Sequence, residues 1–184
     1  NRMRRAETLE DFGQELIRNL VPLLGSEAGA FFVYSEKEAA LELHGACAYP
    51  EHGARKFRLG EDLVGQCAAG QQVIILNEVP KDYLTIRSAL GQATPGFLVV
   101  LPVVWNDTVS AVIEVAGFHA LSETQLALLD ALTAAVGLNL EVLKRSLRTG
   151  ELLVQSRRQA EELHASEEEL QAQSEELRES NELL

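Results

Sequence analysis

The chain has 184 residues, 28 acidic against 16 basic, for a net charge of −12, and 46% of it is apolar. That fits one domain of ordinary size plus a substantial extra element, and it argues against nucleic acid or an anionic membrane surface as partner. Only two cysteines, Cys47 and Cys67, argue against a disulfide scaffold and for a reducing compartment, and no apolar run approaches the roughly 20 residues of a membrane span.

In chain order, Leu9, Phe12, Leu16, Leu20, Leu23 and Leu24 form one stripe, which predicts an amphipathic helix to about Leu24, ended by Gly25-Ser26. Ala30–Tyr34 and about Leu41–Tyr49 read as two strands around a charged tip at Glu36-Lys37-Glu38. The most informative stretch follows, FRLGEDLVGQCAAGQQVIILNEVPKDY from Phe57 to Tyr83. Gly60-Glu61-Asp62 is a turn that places acids at a helix start, where the positive end of the helix favours them. Leu63 to Ala69 carries Leu63, Val64, Cys67 and Ala68 on one helical face, with Gly70 as its stop. Val73–Leu76 is a short apolar strand, and Pro80 forces the chain out of regular structure.

From Asp82 to Gly96 the pattern is irregular, as expected of a loop that carries binding residues. Phe97–Val104 and Val109–Gly117 are apolar strands joined by turn residues Asn106-Asp107-Thr108. Ser122 and Gln125 make a capping box, and no proline interrupts the chain beyond it. A helix running from there to Leu184 would be on the order of 95 Å long. The expected class is α+β, an antiparallel sheet of five strands with flanking helices and a long helical extension.

The Phe57–Tyr83 stretch resembles the GAF family of small-molecule sensor domains in turn, helix, strand and exit loop together. The resemblance implies a cup between the sheet and its loops, with Val64, Cys67, Tyr83, Ile86 and Glu114 as candidate pocket residues. Glu114 is a carboxylate in the apolar run Val112-Ile113-Glu114-Val115 and needs a partner, such as a backbone N–H or Arg87, unless it meets a ligand. Bilin-binding relatives use a cysteine followed by histidine, whereas Cys47 precedes Ala48 and Cys67 precedes Ala68. The Asn-Lys…Phe…Asp-Glu series of cyclic-nucleotide-binding relatives is absent after Asn77, and free methionine sulfoxide reductases need more cysteines than two. No cofactor or metal is expected, and a ligand, if bound, is an unidentified small molecule. Cys67 reads as a small hydrophobe, with a redox-sensing thiol as the alternative.

Leu163, Leu170, Leu177 and Leu184 recur every seven residues in EELHASE, EELQAQS, EELRESN, ELL. Taken as d positions, they put Leu153, Ala160, Glu167, Ser174 and Asn181 at a, the pattern of a two-stranded parallel coiled coil. Upstream, Val136, Leu140, Leu143 and Leu147 keep a rhythm of their own, so the register is expected to slip near Gly150. This tail resembles the signalling helix between sensor domains and the kinase core of bacterial hybrid histidine kinases. His164 lacks the context of a phosphoacceptor, and no phosphate-binding loop is present, so the chain is not expected to transfer phosphate itself.

The expected organisation is an N-terminal helix over 1–24, a GAF-like domain over 25–143, and a coiled-coil signalling helix over 144–184 that pairs through Leu140, Leu143, Leu147, Leu153, Leu163, Leu170, Leu177, Asn181 and Leu184. The expected function is a cytoplasmic sensor or transmission module of a bacterial sensor kinase, a parallel homodimer acting on a downstream kinase core. The parent could be tethered to the inner membrane, while this segment touches neither membrane nor nucleic acid. A ligand-free structural linker is the alternative, with a thiol redox sensor behind it.

Overall fold

The computed structural model describes residues 8–50, 53–80, 84–88 and 91–182. By internal contacts the chain divides into two units, one through Leu143 and one from Lys144.

Helix α1 (Leu9–Leu23) opens on Thr8, whose side chain accepts a hydrogen bond from the Asp11 N–H at 3.0 Å. Its buried face is Gly13, Ile17, Leu20 and Val21, and Leu24 follows just beyond its end. The expected stripe is therefore rotated at its end, since Leu23 is 60% exposed. The helix sits where it does because two glycines face each other. A Cβ on Gly13 would lie 2.7 Å from the His44 carbonyl oxygen, and one on Gly45 2.3 Å from the Gly13 oxygen. Gln14 fastens the same contact, donating to the Ala46 carbonyl at 3.0 Å and accepting from its N–H at 3.2 Å.

The main sheet has six strands rather than five: β1 (Ala28–Ser35), β2 (Ala40–Cys47), β3 (Lys56–Arg58), β4 (Ile74–Leu76), β7 (Phe97–Trp105) and β8 (Thr108–Gly117). Their spatial order is β3-β2-β1-β8-β7-β4, with every neighbouring pair antiparallel. The extra strand, β3, lies inside the glycine-opened signature, where only three residues pair. The stretch expected to be irregular holds a second small hairpin, β5 (Ile86–Ser88) with β6 (Gly91–Ala93). Between β7 and β8, Asn106 and Asp107 form a two-residue turn with φ of 49° and 59°, the left-handed pair that matches strand twist.

Alternation along β7 shows how the two faces are used. Phe97, Val99, Leu101 and Val103 join Ile17, Leu20, Phe31 and Ile113 in one core. Leu98 and Val100 join Phe32, Phe57, Val64 and Cys67 in the other. The first core is capped by α1 and by the opening part of α3 (Glu123–Glu182), and the second by α2 (Asp62–Gly70). The expected α+β sandwich around an antiparallel sheet is what forms. Helix α2 ends one residue later than its glycine suggested, on Gln71 in the left-handed region at φ 51°.

The capping box of α3 forms as expected: the Gln125 N–H donates to Ser122 Oγ at 3.3 Å and the Ser122 N–H donates to Gln125 Oε1 at 2.8 Å. Gln125 also donates to the Leu24 carbonyl at 2.8 Å, tying the two helix ends of the unit together. Leu129, Val136 and Leu140 are buried in the core beneath the sheet. Leu140 is thus not a coiled-coil position: it is fully buried within a single protomer. Val136 and Leu140 keep their own rhythm because they answer to the sheet, so the slip expected near Gly150 compares two different faces of the helix.

One stretch of α3 is long and apolar enough to cross a membrane by length and composition, which corrects the expectation that nothing approached that limit. Its apolar residues are interleaved with polar ones and include Leu129, Val136 and Leu140, which the sheet covers. From Lys144 the helix forms the second unit, in which Leu153, Leu163 and Leu170 are exposed. Tyr83 and Leu184 lie outside the described residues, as do the side chains of Leu177 and Asn181.

Candidate functional site

A cavity of about 320 Å³ lies on the α2 side of the sheet. It exists because of side-chain size along one register. Phe32 pairs with Val112 and fills the space above that row, but Ala30 pairs with Glu114 and Ala28 with Ala116. Three alanines and a carboxylate leave the floor hollow where the next row is full.

The walls come from α2 and from the loop after β2. Val64 and Asp62 contribute from the helix, and Ala48, Tyr49 and Ala54 from the loop. Helix α2 approaches closely because residue 65 is glycine, since a Cβ there would lie 2.1 Å from the Arg58 carbonyl oxygen. Tyr49 closes the loop by donating its hydroxyl hydrogen to the Ala54 carbonyl. Its ring meets Phe32 edge-on at 6.3 Å between centroids, and Phe57 meets Phe32 at 5.3 Å, so the aromatic wall is braced. Ala48 and Asp62 both sit in the left-handed region, at φ 51° and 49°, a conformation that costs energy for residues with a side chain and clusters at ligand sites.

The described lining carries two carboxylates, Asp62 and Glu114, and no basic side chain. Burial pushes the Tyr49 hydroxyl up to about 12, with the Glu114 charge adding to it. Burial likewise pushes the Cys67 thiol up to about 12, and Glu114 again contributes. Cys67 Sγ lies 3.5 Å from the Val100 carbonyl oxygen, a weak hydrogen bond within the core. A thiol held protonated and buried is a poor nucleophile and a poor redox sensor.

Of the candidate pocket residues, the structure places Val64 and Glu114 on the lining. Cys67 and Ile86 are buried in the apolar core on that face, off the described lining. Tyr83 is outside the described residues. Sequence reasoning missed Tyr49, Phe57, Asp62 and the alanine floor. The legible signal was the Ala28-Gly29-Ala30 run at the head of an apolar strand, too small to pack a sheet face. Among the described residues no group of histidine, cysteine, aspartate and glutamate could hold a metal ion.

A family model described as the GAF domain matches residues 6–141. The chain belongs to the GAF domain family. Members are in general regulatory or ligand-binding modules. Solved structures of the same fold include the GAF domain of an Acinetobacter phosphoenolpyruvate-protein phosphotransferase, with a TM-score of 0.63, 14% identity, and 76% of this chain and 86% of that one covered. The second GAF domain of DevS from Mycobacterium smegmatis has a TM-score of 0.60, 16% identity, and 77% and 99% coverage. A type II free methionine-R-sulfoxide reductase from Thermoplasma acidophilum has a TM-score of 0.57, 15% identity, and 73% and 95% coverage. At these identities the likeness is one of fold. No curated protein matches the sequence.

Proposed function

We propose that this GAF domain is the sensor and transmission module of a bacterial two-component histidine kinase. It works in the cytoplasm as a parallel homodimer, and its long helix passes a conformational bias to a kinase core further along the polypeptide. The observation that carries the reading is the seven-residue leucine series of the second unit, where Leu163 and Leu170 stand 65% and 62% exposed on a 60-residue helix. Leucines repeated at that interval and left in water call for a second helix.

The input is a small molecule in the cavity, whose 320 Å³ falls in the size range of ligand sites, roughly 300–1,000 Å³. Asp62 on the described lining favours a neutral or cationic ligand over an anionic one. Binding need only favour one of two helix arrangements by a few kcal/mol to act as a signal. The protonated state of Cys67 gives no support to a thiol-based input.

The test is a phase experiment. A histidine-kinase core is joined behind Leu184, and one to seven residues are inserted at the junction. Autophosphorylation is expected to rise and fall with insertion length and to recover at about seven, one heptad. Activity indifferent to insertion length would overturn the relay.

A further inference from the structure

Strand β8 serves both faces of the sheet. Glu114 and Ala116 line the cavity on the α2 side, while Ala111, Ile113 and Val115 pack into the core beneath α3. Strict alternation would send Ser110 to the cavity side, with Val112 and Glu114. It does not go there. Val103 faces Ala111 but Val104 faces Val109, so the register shifts at that step and Ser110 is the extra residue of a β-bulge. Beyond it, Val109 packs on the α2 side again. A bulge re-aims a side chain, and this one turns the Ser110 hydroxyl to α3, where it donates to Glu141 Oε1 at 3.0 Å. Ser110 is buried at this contact.

Helix α3 meets the bulge with a row of its own. Gly137 and Glu141 are four residues apart and so lie on one side of the helix. A Cβ on Gly137 would lie 3.3 Å from Val103 Cγ1 and 3.5 Å from the Val104 carbonyl oxygen, the two residues between which the register shifts. Glycine inside a helix is unfavourable, and here it lets α3 lie against the strand at the bulge. Val136 and Leu140, beside this row, are apolar contacts that hold the helix down without fixing its angle. A hydrogen bond is directional, so the one between Ser110 and Glu141 selects a single rotation. A hydroxyl bonded to a carboxylate is also among the stronger side-chain hydrogen bonds.

We propose that Ser110 and Glu141 form a latch that fixes the rotation of α3 where it leaves the sheet, and that β8 carries the effect of an occupied cavity to this latch. The inference rests on the relay reading above and names the residues through which the sheet acts on the helix. All of them belong to the first unit. Ser110 stands four and six residues from the lining positions Glu114 and Ala116, about 13 and 20 Å along a strand. Between Ala111 and Ala116, β8 is paired on both sides, with β1 and with β7, so a shift at the lining is carried along the strand. The two states are a bonded one, with α3 held at one angle, and a released one, with α3 turning on its apolar contacts.

The experiment follows hydrogen exchange in the full chain for Ser110→Ala, Glu141→Ala and the double variant. Each single change is expected to speed exchange of amides 137 to 143 at least about fivefold against those of β1 and β7, and the double variant to be no faster than the faster single. Unchanged rates, rates that rise equally across the first unit, or a double variant in which the two effects multiply would each overturn the latch. A second measurement uses the kinase fusion with its series of insertions. There Ser110→Ala is expected to shrink the ratio of highest to lowest autophosphorylation at least about threefold, because a helix without a fixed angle reports insertion length poorly. An equal loss at every length, or an unchanged profile, would make Ser110 a structural contact only and overturn the inference while leaving the relay standing. A profile already flat in the unaltered fusion would overturn the relay, and this inference with it.

Discussion

Cys67 and Tyr49 hold their protons more tightly in the folded chain than in the unfolded one, and for the same two reasons. Burial penalises the charged form of each, and the Glu114 carboxylate repels it further. Their ordinary values of 9.0 and 10.0 both rise to about 12. Where the unfolded chain releases a proton and the folded chain keeps it, raising the pH favours unfolding. The stability these groups contribute is therefore fully present below about pH 9 and is lost as the pH climbs towards about 12. Urea midpoints measured from pH 8 to 11 should fall, and the fall should be shallower in Cys67→Ala and in Tyr49→Phe. Parallel pH profiles for all three proteins would count against Cys67 and Tyr49 as the source. Glu114→Gln should shift both titrations downward, because it removes the secondary cause and leaves burial in place.

At the scale of the element, the docking of α1 on β2 is set by two residues that have no side chain. With a Cβ on Gly13 only 2.7 Å from the His44 oxygen, and backbone rather than a flexible side chain in the way, helix and strand must separate. Gly13→Ala is expected to cost about 1–3 kcal/mol in urea unfolding, the usual scale of overpacking. A loss under about 0.5 kcal/mol would mean that the contact yields easily. No reading of the sequence pointed to this pair, because Gly13 and Gly45 meet only once the fold is made. Signals that live within a few residues were legible: the capping box at Ser122 and Gln125, the left-handed pair Asn106-Asp107, the turn and helix around Gly60. The three-residue strands β3 and β5 mix charged and polar residues with a single apolar one and carry too little pattern to be seen, whereas the wholly apolar β4 was legible at the same length. The cavity was legible as a location and not as a lining, because Tyr49 reaches it from a loop and the floor is defined by what Ala28, Ala30 and Ala116 lack. Leu140 was misassigned for a related reason. A helix with two apolar faces offers two rhythms, and only burial tells which one the sheet has taken.

For the whole molecule, the heptad count has a consequence beyond self-association. Counted back in sevens from Leu170 and Leu163, the leucine row of the second unit meets Ser156 and Thr149, polar residues at core positions. Polar residues at core positions weaken a coiled coil without breaking its register. In the proposed dimer, the segment from 145 to 160 is therefore a weak part of the pair, followed by the firmer run of Leu163 and Leu170. A weak stretch ahead of a firm one suits a relay, since the weak part can take up an imposed rotation. Hydrogen exchange on the full chain should find amides from 145 to 160 less protected than those on both sides. Protection falling steadily from Leu143 onward would indicate simple fraying and would remove the middle segment as a separate feature. Thr149→Val combined with Ser156→Leu should raise protection across the segment and tighten self-association. In the kinase fusion it should also reduce the dependence of autophosphorylation on insertion length, because a stiffened seam no longer distributes the change of phase. If the double variant tightened the dimer and left that dependence untouched, the weak segment would have no part in the relay.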